Sequence, residues 1–397
     1  MTLVARRVAA VLATVIPLAA PTALAAQPAA AAQAAAWTNP TCSTVSGPGG
    51  LTFTKDGGAT FAPTTGVATP VSYTFGIAAL DTANTLVSIR EQSDSTGQDT
   101  VRTVYRSTNA GCNWTSLGTL VTEYFTRVTP AVGGRAYLHS PHAGAGLYRV
   151  TGTTLTRVGE PGTAGITGFG TDPANGLHVV AGNANGELYE SFTGGSSWTR
   201  VGTVPAGLGE GGAYQIAVDP KNLSHAVIGT GTLGAFVTTT KGASWTRSSG
   251  LDLTPTGPGG VNVFSVAVSP VSSSVVYAVG LDLDQFDARI PSQGRHIYRS
   301  TNGGTTFSRV LDDSRPAVTL TNGTDLYPSI VSANEVYFTY GSSYNEYGTD
   351  VFRLNANYGT PTTKHSAVQG IHALAFNPTY PSTIYVGQAK ISIPQQG

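Results

Sequence analysis

The sequence predicts an all-β protein built from a repeated unit of short antiparallel strands, and three observations carry that prediction. Charged residues make up 11% of the 397, against roughly 25% in ordinary soluble domains, too few to clothe long surface helices. Glycine occurs 49 times beside abundant Thr, Ser and Val, a composition suited to short strands and tight turns. A short motif also recurs along the chain, which marks a repeat architecture.

The motif appears five times. It reads Thr54-Lys-Asp-Gly-Gly-Ala-Thr-Phe61, Ser107-Thr-Asn-Ala-Gly-Cys-Asn-Trp114, Ser191-Phe-Thr-Gly-Gly-Ser-Ser-Trp198, Thr238-Thr-Thr-Lys-Gly-Ala-Ser-Trp245 and Ser300-Thr-Asn-Gly-Gly-Thr-Thr-Phe307. A hydroxyl at the start can bond the backbone of a tight turn. The central glycine supplies a positive φ, and the terminal aromatic begins the next strand and fills the space between sheets. The pattern resembles the Asp-box, or BNR, family, whose motif is Ser-x-Asp-x-Gly-x-Thr-Trp. Asp56 keeps the family's aspartate; Asn109, Thr193, Thr240 and Asn302 replace it elsewhere. The boxes read as structural turns, and Trp114, Trp198, Trp245 and Phe307 read as core.

A second segment recurs upstream of the boxes: Ile77-Ala-Ala-Leu-Asp81, Gln215-Ile-Ala-Val-Asp-Pro220, Ser265-Val-Ala-Val-Ser-Pro270 and His372-Ala-Leu-Ala-Phe-Asn-Pro378. An apolar run bounded by a turn describes a fully buried inner strand. A second β run follows each one, as at Val275-Val-Tyr-Ala278. Inner strand, second strand, third strand, box turn and fourth strand together make one propeller blade.

Residues 71–118, 124–159, 165–202, 212–250, 262–311 and 326–367 each hold one such set, and 368–390 hold two strands more. The missing outer strands lie at the other end, at Thr41 to Val45 and Leu51 to Phe61. Sharing one closing blade between both ends leaves no open sheet edge. The expectation is a seven-bladed β-propeller of four-stranded antiparallel blades, with N- and C-terminal strands in the closing blade. Six or eight blades stay open, because the second and sixth rest on strand pattern alone. Cys42 and Cys112 then fall in the closing strand and in the box of the next blade. They are expected to pair, with two separate buried thiols as the alternative.

The N-terminus carries Arg6 and Arg7, an apolar stretch from Val8 to Ala20 and small residues at Ala23-Leu24-Ala25. This reads as an export signal over 1–25, with cleavage after Ala25 or Ala36. An Ala-rich, unstructured or processed segment covers 26–36, and a single domain covers 37–397. No later stretch is long and apolar enough to span a membrane, so a secreted monomer is expected. Net charge is zero and basic residues do not cluster, which argues against nucleic acid.

Catalysis is weighed because the Asp-box family includes glycosidases. Arg289-Ile290-Pro291 matches the family's substrate-carboxylate tripeptide, but it sits in the fifth blade and Ala288 replaces the aromatic. No carboxylate pair is marked. His139 and His142 stand close together but complete no recognised metal or catalytic motif, and Asp282, Asp284 and Asp287 lack the glycine and distal carboxylate of a calcium loop. No catalytic residue, metal or cofactor is therefore assigned.

Three long connections should rim one face: Glu91 to Thr100, Leu281 to Arg295 and Gly341 to Asp350. Long loops on a rigid scaffold carry function. Asp94, Asp282, Asp284, Asp287, Arg289, Tyr344, Glu346 and Tyr347 are the candidate binding residues. The whole-chain architecture is similar to that of secreted bacterial propellers that modulate proteases. That resemblance implies binding to a thermolysin-like metalloprotease and cross-linking by a transglutaminase. The candidate glutamines are Gln92, Gln98, Gln285, Gln293, Gln388, Gln395 and Gln396. A glycosidase-like or carbohydrate-binding propeller is the alternative.

Overall fold

The second strand of each blade lies mid-sheet with another sheet against each face, so it must be apolar on both sides. Val276–Asp282 is buried at every position, and so is Val179–Asn183. The computed structural model describes residues 36–66, 71–93, 100–120, 126–208, 212–251, 260–290, 292–341, 348–367 and 370–391. The expected export signal lies outside them. All fall within the unit Ala34–Gly397.

The strands form seven antiparallel blades, a β-propeller. Six span 71–120, 127–158, 166–201, 213–247, 261–312 and 327–366, each with strands in sequential order. The closing blade joins Ile371–Phe376, Ile384–Gln388 and Leu51–Thr54. Its fourth position is held by the chain near Ala62, whose N–H donates to the Phe53 carbonyl at 3.0 Å. Hydrophobic clusters fill the wedges between neighbours. One packs Val227 and Val237 of the fourth blade against Val266, Val276 and Tyr298 of the fifth. Another packs Tyr277 and Ile297 of the fifth against Phe338 and Phe352 of the sixth. The core is thus a ring of seams.

The five repeated turns share one hydrogen-bond scheme. The leading hydroxyl accepts the N–H of Gly58, Gly111, Gly195, Gly242 or Gly304 at 2.9 to 3.0 Å. The side-chain oxygen two residues on accepts the N–H of Thr60, Asn113, Ser197, Ser244 or Thr306, also at 2.9 to 3.0 Å. That second role needs one acceptor oxygen and no charge, so Asn109, Thr193, Thr240 and Asn302 serve as well as Asp56.

The aromatic that ends each turn clamps the blade before it. Trp198 Nε1 donates to the Gly159 carbonyl and Trp245 Nε1 to the Thr203 carbonyl, both at 2.7 Å. The expectation that all four anchors are core holds for Trp114 and Phe307, at 5% and 2% exposure. Trp198 and Trp245 are half-buried, because their indole N–H groups reach the rim. Trp198→Ala is therefore expected to cost about 2 kcal/mol, roughly half the value for a fully buried aromatic. A denaturant melt showing the same loss as Phe307→Ala would place Trp198 in the core after all.

The closing strand differs from expectation in one respect. Residues 41–45 are not a blade strand; Val45 and Ser46 make isolated parallel bridges to Thr64 and Asn113. Two prolines and three glycines from Pro40 to Gly50 keep this stretch from continuous pairing. It acts as a strap between the closing blade and the first. Cys42 in the strap is disulfide-bonded to Cys112, with Cα atoms 5.7 Å apart. Lys390–Ile391 reinforces the seam by pairing with Val71 and Ser72 of the first blade.

Candidate functional site

Inner strands form the wall of the propeller axis, and a recurrent irregularity shapes it. Register breaks at one equivalent point in five of them, between Thr74/Gly76, Ile166/Gly168, Ala213/Gln215, Val263/Ser265 and Ile371/Ala373. A bulge re-aims the side chain it carries. The residues at the bulges are Phe75, Thr167, Tyr214, Phe264 and His372. Tyr73 stacks on Phe75 with centroids 5.7 Å apart and meets His372 edge-on. Tyr214 stacks on Phe264 at 5.2 Å. Two aromatic groups thus form at the bulges, each joining neighbouring blades.

Between them an ion pair crosses the axis. Arg127 of the second blade reaches Asp325, just before the sixth, at 3.0 Å, each side chain about two-fifths exposed. Asp325 is the one carboxylate among the described residues lining this channel. His139 lies beside Arg127; burial, then the guanidinium, push its imidazole down to about 3. Burial, reinforced by Asp325, pushes the Tyr327 phenol well above its ordinary value.

The connection in the fifth blade, expected as a polar loop, contains a short helix, Leu283–Asp287. Asp282 caps it, accepting from Gln285 N at 3.1 Å and Gln285 Nε2 at 2.7 Å. Gln285 Oε1 lies 2.9 Å from His296 Nε2, and His296 Nδ1 lies 2.8 Å from Asp312. Gln285 is thus hydrogen-bonded through its side chain between the helix cap and a fully buried histidine. Phe286 points outward at 44% exposure, and Asp287 and Arg289 are exposed beside it. Asp284 is half-buried on the same helix. The carboxylates cap and flank the helix, and no group of three or more potential metal ligands occurs among the described residues.

The other glutamines differ in setting. Gln293 is exposed in a turn, its Oε1 accepting from Arg295 Nη1 at 2.8 Å. Gln92 is half-buried at a strand end and paired with Val101. The backbone of Gln388 is held by Gly50 and Arg90. Gln98, Gln395 and Gln396 lie outside the described residues, as do Asp94, Tyr344, Glu346 and Tyr347. The shared rim of three loops is thus described for one loop.

Sequence reasoning missed the axial set of Arg127, Asp325 and the bulged residues. One signal was present: Phe75-Gly-Ile, Tyr214-Gln-Ile, Phe264-Ser-Val and His372-Ala-Leu place a ring at the same offset before each apolar run.

Seven four-stranded blades around an ion-paired axis define a seven-bladed β-propeller. Across nearly its whole length the chain is similar to one known protein. It is 45% identical over 359 residues, 90% of this chain and 91% of the relative, to dispase autolysis-inducing protein from Streptomyces mobaraensis, and it belongs to that protein's family. No family model matches the chain. Among solved structures, the GH74 xyloglucanase from Xanthomonas campestris aligns with TM-score 0.57 at 19% identity, over 81% of this chain and 53% of its own. An ancestral GH74 enzyme aligns with TM-score 0.47 at 19% identity, over 80% of this chain and 40% of its own. The chain spans about half the length of that xyloglucanase, and the likeness to it is one of fold. No described helix is long and apolar enough to cross a membrane.

Proposed function

We propose that this protein is a secreted, non-catalytic binder that engages an extracellular thermolysin-like metalloprotease and promotes its autolysis. The observation that carries the reading is kinship along the full propeller with a dispase autolysis-inducing protein. The site chemistry is consistent with it. A glycosidase needs two positioned carboxylates, and the described channel lining offers Asp325 alone, already paired with Arg127. The short helix of the fifth blade with its Phe286, followed by Arg289, is the described part of the proposed contact face.

The direct test incubates thermolysin with the purified chain and follows intact protease by gel and residual caseinolysis. Faster loss of protease, with the propeller unchanged, is expected. An unaltered half-life would refute the proposal. Shortening 281–295 would strip His296 of Gln285 and so disturb the fold together with the contact. Phe286→Ala leaves that network intact and should weaken the effect without moving the melting temperature.

The transglutaminase role belongs to the same proposal. Cross-linking needs an accessible glutamine in a yielding segment. Among Gln92, Gln215, Gln285, Gln293 and Gln388, a microbial transglutaminase with an amine probe should label Gln293 first. Gln285 should stay unlabelled, and so should Gln215, whose Oε1 accepts from Val266 N at 3.2 Å. Peptide mapping that finds Gln285 ahead of Gln293 would contradict the assignment.

A further inference from the structure

Asparagine followed by glycine occurs four times, at Asn175-Gly176, Asn185-Gly186, Asn302-Gly303 and Asn322-Gly323. Such a pair can react with itself, because the glycine nitrogen, unshielded by a Cβ, comes within reach of the preceding side-chain amide. The reaction needs an N–H that solvent base can deprotonate. It is speeded by a donor on the amide oxygen, which gains charge as the nitrogen attacks.

Three of the pairs are blocked at the nitrogen. Gly186 and Gly303 donate their N–H groups to the Asn183 and Ser274 carbonyls at 2.9 and 2.8 Å. Gly176 is buried, packed so closely that a Cβ there would lie 2.1 Å from the Val132 carbonyl oxygen.

The fourth pair is open. Asn322 and Gly323 are both exposed, the central residues of a turn that is closed from its ends. Thr324 N donates to the Thr321 carbonyl at 3.2 Å, and Thr321 N to Thr324 Oγ1 at 2.9 Å. Among the described residues the Gly323 N–H has no hydrogen-bond partner. A Cβ at Gly323 would have one neighbour, Thr321 Oγ1 at 3.9 Å. Asn322 Oδ1 accepts from Arg295 Nε at 3.0 Å, and the guanidinium is braced by Gln293 Oε1 at 2.8 Å. A charged donor at that oxygen stabilises the negative charge of a tetrahedral intermediate.

We infer that Asn322 is a self-modification site, deamidated by its own backbone with Arg295 as the oxyanion donor. Solvent base takes the Gly323 N–H proton and the nitrogen attacks Asn322 Cγ; the C–N bond forms as the carbonyl electron pair moves onto Oδ1. Collapse of the oxyanion breaks the Cγ–Nδ2 bond, and Nδ2 leaves as ammonia with a proton from water. Water then adds to one carbonyl of the cyclic imide and opens it, giving aspartate or isoaspartate at 322. The sum is amide plus water to acid plus ammonia, with nothing oxidised or reduced. The new carboxylate stands beside Arg295, whose charge is opposed by burial and then by Arg315, so a charged acceptor replaces a neutral one where it is favoured.

The experiment holds the intact chain in mildly alkaline buffer well below its melting temperature and follows all four pairs by peptide mapping. Mass reports the change of amide to acid, and enzymatic methylation reports isoaspartate. Asn322 should convert first, with the other three lagging until the chain is denatured, when all four should proceed at similar rates. Arg295→Met should slow Asn322 about tenfold, less than the roughly 10²–10³ of an enclosed oxyanion hole because this site is exposed. Gly323→Ala places its Cβ in open space, so it should keep the fold and remove the lead of Asn322. Native-state conversion led by Asn175, Asn185 or Asn302 overturns the inference. So does an Arg295→Met chain that melts like the unaltered one and deamidates Asn322 as fast. If Arg295→Met fails to fold, Gly323→Ala and the comparison of native with denatured chain decide.

Discussion

Deletion of residues 37–63 is expected to turn a soluble, cooperatively folding chain into an aggregating one. Leu51–Thr54 pairs along its whole length with Ile384–Gly387, so its loss opens an apolar edge on the closing blade. The strap loses its anchors at the same time. Trp37, 4% exposed, packs against Tyr385 and donates its indole N–H to the Leu80 carbonyl at 3.2 Å. Asn377 donates to the Thr38 carbonyl, and Thr383 to the Asn39 side chain. The deletion also removes Cys42, and with it a disulfide closing a loop of 70 residues, worth about 4 kcal/mol in the chain-entropy model.

Arg90 adds a further dependence on that seam. Its guanidinium is fully buried and bonds Ser72, Thr74 and the Gln388 carbonyl; burial lowers its pKa to about 10. Gly50 packs against it with φ +87°, where a Cβ would lie 2.4 Å from Nη1. Without Gly50 the cation faces a gap at the blade junction. Circular dichroism melts and sedimentation of the deletion variant provide the check. A soluble monomer with a sharp transition would show that the ring closes without its N-terminal strands. Leu51→Asp, which buries a charge at a fully enclosed position, should fail in the same way while keeping the disulfide.

The blades were legible because they repeat. Each buried run, each glycine of the turn scheme and each terminal aromatic restates the same local physics, and the strand boundaries fall close to those the pattern implies. The closing arrangement was legible for a different reason: two strands were missing at one end and extra strands stood at the other. What the repeats hide is what breaks them. The strap at 41–46 carries no periodicity because it pairs with two blades in turn. Asp325 and Arg127 are 198 positions apart, and only ring closure brings them together. Gln285 looked like any loop glutamine; its role depends on His296, a residue from the next strand that sequence gives no reason to join to it.

Asp219 and His225 illustrate the same limit and carry the second large expected effect. They recur at the place where Asp172 and His178 stand one blade earlier, after the inner strand and at the start of the second. In the third blade the carboxylate and imidazole are 26% and 14% exposed. In the fourth they are 0% and 5%, with His225 Nδ1 at 2.9 Å from Asp219 Oδ2. His225 Nε2 lies 2.9 Å from the Gly303 carbonyl of the next blade, so this pair also joins two blades. Breaking a buried pair from one side costs about 3–5 kcal/mol, and Asp219→Ala is expected to do so by leaving the imidazole enclosed.

The pH dependence follows from both partners. Burial disfavours the Asp219 carboxylate, but hydrogen bonds from His225, Ser273 and the Lys221 N–H outweigh it and hold the group below its ordinary 3.8. Burial likewise opposes protonation of His225, but Asp219 and the Gly303 carbonyl raise it above its ordinary 6.5. The Asp219 contribution is complete above the unfolded-state value and fades as pH falls through the depressed one. The His225 contribution is complete below 6.5 and fades as pH rises through the raised one. Both are fully present between 3.8 and 6.5, so this pair stabilises the fold most in mildly acidic solution. Melting temperature measured against pH should therefore fall more steeply on the alkaline side in the unaltered protein than in His225→Gln, which keeps a donor toward Asp219 without the titrating ring. Identical alkaline slopes would mean that His225 is neutral in the folded protein, and that the link to Gly303 is an ordinary hydrogen bond carrying no charge between the fourth and fifth blades.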